Sequence, residues 1–258
     1  MIVVASYNMR KAIGTDRRRR PDRVLDVLCE IDADVIALQE ADRRFGARHS
    51  ALPLDMIEER TPYKPVPFDI RTGSLGWHGN AILVRKSVEI LDFSPLSLPT
   101  IEPRGAVLAD VRVNGLAMRV VGMHLDLSGI VRRRQARSIL AQISGRSEQM
   151  PTVMMGDLNE WSLAGGCLRD FSETHQIAQT GLSFHARRPI APLDRIIISP
   201  GLTVHDTGVH VSARARLASD HLPIWARIAP DGAEGGAHRA MEQITTWSAM
   251  QKAGHHSD

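Results

Sequence analysis

The chain has 258 residues, of which 43% are hydrophobic and 24% are charged, with a net charge of +3. These values are typical of a globular protein with a substantial core, and they exclude an intrinsically disordered chain. Aromatic residues make up only 4%, which argues against a surface that stacks many unpaired nucleic acid bases.

Features that would place the chain in a membrane or an oxidising compartment are missing from the sequence. The apolar start of the chain is too short for a signal peptide, and no later run approaches the roughly 20 apolar residues that span a bilayer. Cys29 and Cys167 have neither metal-binding nor redox spacing, so we expect two reduced, buried thiols. The sequence therefore predicts a cytoplasmic protein without a transmembrane segment, and it predicts no protein partner.

Strand-like and helix-like segments alternate from the N-terminus. Residues 2–8 predict a strand that ends at Asn8, and apolar residues at helical spacing predict a helix over 21–31. Residues 35–38 predict a buried strand, which is followed directly by Gln39 and Glu40. A short helix is expected over 54–60, and a glycine-rich loop over 73–79 leads into a strand over 80–84. The first two strands thus deliver polar, metal-competent side chains at the same end.

The middle of the chain predicts a hairpin followed by an arginine-rich helix. Asn114-Gly115 lies between β-rich runs at 106–113 and 116–123, which is the strongest short-range hairpin signal. Three prolines over 95–103 predict an extended connection before it. A helix is expected over 129–144. Its inward positions are predicted to be Ile130, Ile139, Leu140 and Ile143. Its largely outward arginines are predicted to be Arg132, Arg133, Arg134 and Arg137. Such a face is usually solvated, and contact with phosphate or a membrane is the alternative.

The last third repeats the pattern of apolar strand followed by polar residue. Residues 152–155 predict a buried strand, and Asp157 and Asn159 after it share one face because they are two positions apart. A helix is expected within 165–174, and further strands over 192–198, 202–211 and 221–228. A change in composition after residue 229 predicts a domain over 1–229 and a flexible tail over 230–258, with a short amphipathic helix over 239–252.

Several polar residues therefore stand where predicted strands begin or end. They are Asn8, Glu40, His124, Asp157, Asn159, Asp194, Asp220 and His221. Each alone has an ordinary explanation, such as a turn, a surface ion pair or a buried structural histidine. Those explanations do not account for the repetition, which indicates a shared site.

The order and local sequence of these segments resemble the endonuclease/exonuclease/phosphatase superfamily, which has the DNase I-like fold. The matching motifs are Ser6-Tyr7-Asn8, Leu38-Gln39-Glu40, Gly122-Met123-His124, Gly156-Asp157-Leu158-Asn159, Leu193-Asp194-Arg195-Ile196 and Ser219-Asp220-His221. The resemblance implies an α/β (α+β) fold: a four-layer α-β-β-α sandwich with two mixed β-sheets.

The same resemblance implies a metal-dependent hydrolase of phosphoester bonds. Asn8, Glu40 and Asp220 would hold Mg²⁺ or Mn²⁺, for which their hard oxygen atoms are suited. The catalytic set would be His124, Asp157, Asn159, Asp194 and His221. Arg104 and Asn80 would contact the substrate. The division of roles between water activation and leaving-group protonation stays open at this point.

The substrate is the least determined part of the prediction. Ala41-Asp42 follows Glu40 where abasic-site endonucleases usually have Thr-Lys. The segments around Trp161 and Arg195 look closer to bacterial members encoded beside cardiolipin synthase, which suggests a phospholipid headgroup or another small phosphodiester. One alternative is a nuclease that uses the arginines at 17–20 and the arginine-rich helix on a nucleic acid backbone. A second alternative is a non-catalytic scaffold that keeps the fold.

Overall fold

The computed structural model describes residues 1–42, 49–68, 73–101 and 104–232. In chain order the strands are β1 (Ile2–Asn8), β2 (Val35–Gln39), β3 (Tyr63–Pro65), β4 (Ala81–Arg85), β5 (Glu89–Leu96), β6 (Gly105–Val113), β7 (Leu116–His124), β8 (Thr152–Asp157), β9 (Gln176–Ile177), β10 (Asp194–Ile198), β11 (Leu202–Val209) and β12 (Ile224–Pro230). The helices are α1 (Pro21–Ile31), α2 (Leu54–Arg60), α3 (Gly129–Ser144), α4 (Cys167–Ser172) and α5 (Ala213–Ala218), with a short helical turn at Arg10–Ala12. The predicted tail helix lies outside the described residues.

The strands form two six-stranded sheets, ordered β11-β12-β1-β2-β4-β3 and β5-β6-β7-β8-β10-β9. Both sheets are mixed, because β1 pairs with β2 and β7 pairs with β8 in parallel while the other pairings are antiparallel. The predicted hairpin turn joins β6 to β7, and Asn114 (φ 50°) and Gly115 (φ 84°) have the left-handed backbone that such a tight turn requires.

Three apolar clusters hold the layers together. Val4, Val120 and Met155 belong to the cluster between the two sheets, where side chains from both inner faces are fully buried. Val24 and Leu28 of α1 pack on the outer face of the first sheet, and Ile139 of α3 packs on that of the second. The predicted four-layer α-β-β-α sandwich is confirmed. None of the helices in the described part of the chain is long and apolar enough to cross a membrane.

Several local predictions were wrong. The connection predicted over 95–103 overlaps β5, which includes Pro95 and pairs with β6 on one side only. An edge strand accepts proline because its outward N–H groups need no partner in the sheet. Cys29 is exposed rather than buried, since α1 turns Val24, Val27 and their neighbours inward instead. The last strand begins at Ile224 rather than at His221, which leaves His221 in the loop before it.

The inward face of α3 was also assigned wrongly at its first turn. Ile130 was expected to face inward and is 70% exposed, whereas Arg132 was expected to face outward and is only 8% exposed. The helix instead buries Val131, Gln135 and Ile139, and the guanidinium of Arg132 lies against a buried carboxylate of Glu160. A long side chain with a charged partner can enter the interior, which hydrophobic spacing alone cannot predict.

Candidate active site

The order of strands in the first sheet brings four predicted residues to one edge. β12, β1 and β2 are neighbours, and Asn8 ends β1 while Glu40 follows β2. Asp220 and His221 come just before β12, which runs antiparallel to β1 and so begins where β1 ends. The four residues predicted from three separate sequence motifs in this half of the fold therefore share one end of one sheet.

The second sheet brings together the other half of the predicted set. His124 ends β7, Asp157 ends β8, and Asp194 begins β10. Both His124 and Asp194 are direct cross-strand partners of Asp157. Asp157 is thus the central member of a three-residue row at the edge of this sheet.

A side-chain hydrogen bond joins the two rows. β1 packs against β8 and β10, and the Nδ2 atom of Asn8 donates to Oδ2 of Asp157 over 2.9 Å. Asp157 Oδ2 lies 3.5 Å from His124 Nε2 and 3.7 Å from His221 Nε2. Its other oxygen, Oδ1, accepts the backbone N–H of Asn159 over 2.9 Å. One carboxylate therefore faces two imidazoles and an amide where the sheets meet.

His221 forms a buried pair with Asp194. Its Nδ1 atom donates to Asp194 Oδ2 over 2.8 Å, and Ser183 Oγ donates to the same oxygen over 2.5 Å. Burial by itself would lower the pKa of His221, but the charges of Asp194 and Asp157 outweigh it and raise the pKa to about 9. His221 is therefore an imidazolium at neutral pH, and the ring of Phe184 packs 4.9 Å from it.

His124 is held in the opposite charge state. Burial and, to a smaller extent, the positive charge of Arg104 outweigh the opposing charge of Asp157 and together lower the pKa of His124 to about 3. Arg104 Nη1 contacts His124 Nε2 and donates to the backbone oxygen of Leu125 over 2.9 Å. The site thus holds one neutral and one protonated histidine on either side of Asp157, a separation that is typical of acid and base pairs in enzymes.

Two cations that the sequence analysis did not assign lie against predicted metal ligands. Lys11 Nζ contacts Glu40 Oε2, and Arg10 Nε lies 3.2 Å from Asp220 Oδ2. Arg10, Lys11 and Ala12 have φ values of 47°, 56° and 58°. Consecutive left-handed residues other than glycine are costly, and such backbone is found mainly at functional sites. This turn positions both cations.

The donor atoms of the predicted metal ligands fit a hard divalent cation. Asn8, Glu40 and Asp220 offer oxygen atoms, and the Glu40 and Asp220 side chains are 25% and 20% exposed, so an ion in solution can reach them. Among the described residues, ligand atoms of Asp157, Asp194 and His221 lie within 4.8 Å of one another. His221 Nδ1 already bonds Asp194 Oδ2, so we interpret that cluster as a proton-transfer group.

Asn159 and Asn80 differ in burial, since Asn159 is partly exposed and Asn80 is buried. Asn159 has a left-handed backbone (φ 50°), and its Nδ2 donates to the backbone oxygen of Leu125 over 3.0 Å. Asn80 is fully buried and donates to the backbone oxygen of Gly105 over 3.0 Å, which links β4 to β6. Its Oδ1 has no hydrogen-bond partner within the described residues. The substrate-binding roles of Asn80 and Arg104 stay predictions.

Other site residues were missed for different reasons. Arg10 and Lys11 follow the Asn8 motif directly, so their position beside that motif was a usable signal. Ser183 and Phe184 gave no local signal, because the loop between β9 and β10 reaches His221 only after the sheets assemble. Motif spacing cannot identify a residue whose partners in the site lie far from it in the sequence.

A buried ion pair supports the loop after β8. Arg132 Nη2 lies 3.1 Å from Glu160 Oε2, and both side chains are at least nine-tenths buried. Burial alone would raise the pKa of Glu160, but hydrogen bonds from the Ser162 N–H and from Arg132 outweigh it and lower that pKa. Arg132 also donates to the backbone oxygen of Leu127 over 2.6 Å. The pair therefore joins the loops after β7 and β8.

We expect Arg132→Met to lower the free energy of unfolding by about 3 kcal/mol, because it leaves the buried Glu160 carboxylate without its charge partner. Urea denaturation followed by circular dichroism measures this change. Arg134→Met is the matched control on the exposed face of the same helix, and it should change stability little. Equal losses for both variants would show that the ion pair has no special role.

Comparisons with known proteins bear on the family and the fold of this chain. A model of the endonuclease/exonuclease/phosphatase family matches residues 5–221. The chain is 26% identical over 249 residues to the uncharacterized protein YbhP of Escherichia coli, covering 87% of this chain and 95% of that protein. A functionally unknown conserved protein from Enterococcus faecalis has a TM-score of 0.72 at 21% identity, covering 89% of this chain and 100% of that one. The mannosyl-6-phosphatase of Bacteroides thetaiotaomicron has a TM-score of 0.68 at 20% identity, with the same coverage.

Proposed function

The chain belongs to the endonuclease/exonuclease/phosphatase family, whose members hydrolyse phosphoester bonds, and we propose that it is a metal-dependent phosphodiesterase. The observation that carries the proposal is the arrangement around Asp157. This carboxylate lies within 4 Å of a protonated and a neutral imidazole and is held by the amide of Asn8. Attack of water on a phosphodiester needs a proton acceptor and a positive charge near the phosphate, and both are present here.

Asp157 is the residue proposed to position the attacking water and to accept its proton. Its Oδ2 atom is already oriented by Asn8, and its Oδ1 atom by the backbone N–H of Asn159. Two such hydrogen bonds fix the carboxylate plane, so a water molecule bound to it would approach the phosphorus from a defined direction. As the water oxygen bonds to phosphorus and its proton passes to Asp157, the opposite P–O bond would break, and the leaving alkoxide would take a proton from a histidine or from solvent.

The two histidines and Asn159 would stabilise the negative charge on the phosphate. His221 is kept protonated by Asp194 and can donate a hydrogen bond to a non-bridging phosphate oxygen. The Asn159 amide carries a second N–H that can do the same. His124 would contact the phosphate or the leaving group, with its ring oriented by Arg104. Each donor is in place before substrate binds, which reduces the reorganisation that the reaction requires.

Asn8, Glu40 and Asp220 are the residues proposed to hold Mg²⁺ or Mn²⁺. A bound divalent ion would polarise a phosphoryl oxygen and stabilise negative charge that develops during the reaction. Lys11 and Arg10 contact the carboxylates of Glu40 and Asp220, so a bound ion would compete with these two ion pairs.

We expect Glu40→Gln to weaken binding of Mn²⁺ at least about tenfold, because it removes a charged oxygen ligand. Isothermal titration calorimetry of the metal-free protein with Mn²⁺ measures the affinity without any assay of activity. Glu59→Gln, on the exposed surface of α2, is the matched control and should bind Mn²⁺ as the wild-type protein does. Unchanged affinity in Glu40→Gln would move the metal site elsewhere.

A phospholipid headgroup or another small phosphodiester is the proposed substrate class. The arginine-rich helix gives the nuclease alternative less support than its sequence suggested. Arg132 is buried against Glu160, and Arg133 and Arg137 both pair with Asp170, so three of its four arginines already have carboxylate partners.

The test is a substrate panel assayed with and without chelator. It contains bis-(p-nitrophenyl) phosphate, phospholipids, inositol phosphates and nucleic acids, each with Mg²⁺ or Mn²⁺. Chelator-sensitive hydrolysis of small or lipid phosphodiesters supports the proposal, and faster nicking of DNA or RNA favours the nuclease. A protein that hydrolyses none of them fits the scaffold alternative.

A further inference from the structure

Large apolar side chains are exposed on the loops that surround the candidate active site. They are Ile101, Leu127, Ile130, Trp161, Leu163 and Ile190, which we call the apolar rim, and their exposed fractions are 77%, 59%, 70%, 59%, 78% and 63%. Single exposed apolar residues are ordinary on a protein surface. A group of exposed apolar residues on neighbouring segments is unusual, and such a patch usually marks a surface that binds a ligand, a protein or a membrane.

Contacts place one side of the apolar rim beside His124. The backbone N–H of Ile101 lies 3.4 Å from Asp126 Oδ2, so Ile101 is next to the loop that carries Leu127. That loop begins directly after His124, and Ile130 follows in the first turn of α3. These three exposed residues therefore lie on or beside the segment that follows His124, on the side of the second sheet.

Ring contacts place the other side of the apolar rim beside His221. The Trp161 ring lies 6.2 Å from the Phe184 ring, which in turn lies 4.9 Å from His221. The N–H of Ile190 donates to the backbone oxygen of Phe184 over 2.6 Å. Leu163 follows Trp161 by two residues in the same loop.

The buried pair of Arg132 and Glu160 joins these two sides. Arg132 Nη1 donates to the backbone oxygen of Leu127, and Arg132 Nη2 contacts the Glu160 carboxylate next to Trp161. The loops that carry Leu127 and Trp161 are therefore fixed relative to each other. A rigid arrangement can present its apolar groups together, at a smaller entropic cost on binding than separate mobile loops would have.

Exposed arginines flank the apolar rim. Arg187 and Arg188 precede Ile190 by three and two residues, and both are exposed. Arg187 Nη2 donates to the backbone oxygen of Thr15, which joins this loop to the exposed arginine run at 17–20. Apolar groups beside a cluster of arginines are complementary to the surface of an anionic bilayer, where lipid tails lie beneath negatively charged headgroups.

We propose that the apolar rim and its flanking arginines dock the protein on an anionic phospholipid bilayer, with the active site facing the headgroups. This inference rests on the proposed function, since it supplies a phosphodiester at the docked surface. A protein partner seated on the apolar rim would cover the route to Asp157 and His221. Nucleic acid would gain little from exposed leucine and isoleucine. A lipid surface uses both the apolar groups and the charges, and it brings substrate to the site.

Vesicle sedimentation tests this docking independently of catalysis. We expect wild-type protein to bind phosphatidylcholine vesicles that contain phosphatidylglycerol, and to bind pure phosphatidylcholine vesicles more weakly. Leu163→Ser should weaken binding to the anionic vesicles about tenfold, since a leucine side chain no longer enters the bilayer. Leu91→Ser is the matched control, because Leu91 is also exposed but lies on β5 at the end away from the site. It should bind as wild type does.

Absence of wild-type binding to anionic vesicles would overturn the proposal, as would equal losses in the two variants or none in Leu163→Ser. Binding of single-stranded DNA in place of vesicles, unaffected by Leu163→Ser, would assign the surface to nucleic acid instead. Hydrolysis of soluble bis-(p-nitrophenyl) phosphate by the wild-type protein is measured separately. Its failure would contradict the proposed function while a positive vesicle result would still stand.

Discussion

Replacing Asp157 by asparagine is expected to lower kcat on bis-(p-nitrophenyl) phosphate by about 10³-fold, because it removes the proposed proton acceptor for the attacking water. The substitution keeps the shape of the side chain but not its charge. It also removes the negative charge that both histidines face at 3.5 and 3.7 Å. Steady-state kinetics with saturating Mg²⁺ or Mn²⁺ measures the loss.

The control for this prediction is Asp55→Asn, which changes an exposed aspartate in the first turn of α2 and should leave kcat unchanged. Asp157 is buried, so thermal unfolding of both variants is needed to show that each is folded at the assay temperature. A folded Asp157→Asn protein that keeps wild-type kcat would contradict the role given to this carboxylate.

Replacing His221 by alanine is expected to lower kcat by between about 10² and 10⁴-fold, the range for loss of an acid–base group. The imidazolium is the positive charge nearest to Asp157 among the proposed catalytic groups, and no neighbouring side chain on the same loop replaces it. KM for the substrate should change less than kcat, since the charge on phosphate oxygens increases as the reaction proceeds. Kinetics over a range of substrate concentrations separates the two parameters.

The pH dependence of activity distinguishes a catalytic role of His221 from a purely structural one. The pKa of His221 is raised to about 9, so its charged form is present at neutral pH and is lost as pH rises through about 9. Activity should fall over that alkaline range. Asp194→Asn removes the largest of the three carboxylate charges that raise the pKa of His221, so the fall should move to lower pH. A profile with an unchanged alkaline limb in Asp194→Asn would mean that another group controls it.

Much of the fold could be predicted because local sequence and final structure agree in most segments. β1 ends at Asn8 and α3 spans Gly129–Ser144 as expected, since apolar periodicity and turn residues mark both. The packing of the two sheets came only from family resemblance. Periodicity reports which residues are buried, but it does not report which strands become neighbours.

The residues of the candidate site could be predicted from the sequence, but their charge states could not. Strand ends identified Asp157, Asp194 and His221, and the structure brings those three together. Their charge states depend on distances between residues far apart in sequence, such as the contact of Asp194 with His221, which lies 27 positions away. The Lys11 contact with Glu40 depends in the same way on a left-handed turn that no sequence pattern indicated.

The errors on α3 have a functional consequence. With Arg132 buried and Ile130 exposed, the helix gains an apolar residue at the mouth of the site and loses an arginine from its basic face. An exposed isoleucine and one fewer exposed arginine make this part of α3 less suited to a nucleic acid backbone and more suited to an apolar surface. The corrected orientation of this turn therefore weakens the nuclease alternative and leaves the proposed substrate class, a phospholipid headgroup or another small phosphodiester, unchanged.

The most direct test of the central claim is the initial rate of bis-(p-nitrophenyl) phosphate hydrolysis by wild-type protein and by Asp157→Asn, each assayed after chelation and after Mn²⁺ is restored. The proposed function predicts that chelation abolishes the wild-type rate, that Mn²⁺ restores it, and that Asp157→Asn stays inactive in both conditions. A wild-type rate that survives chelation, or a variant that matches the wild-type rate with Mn²⁺, would contradict a metal-dependent site centred on Asp157.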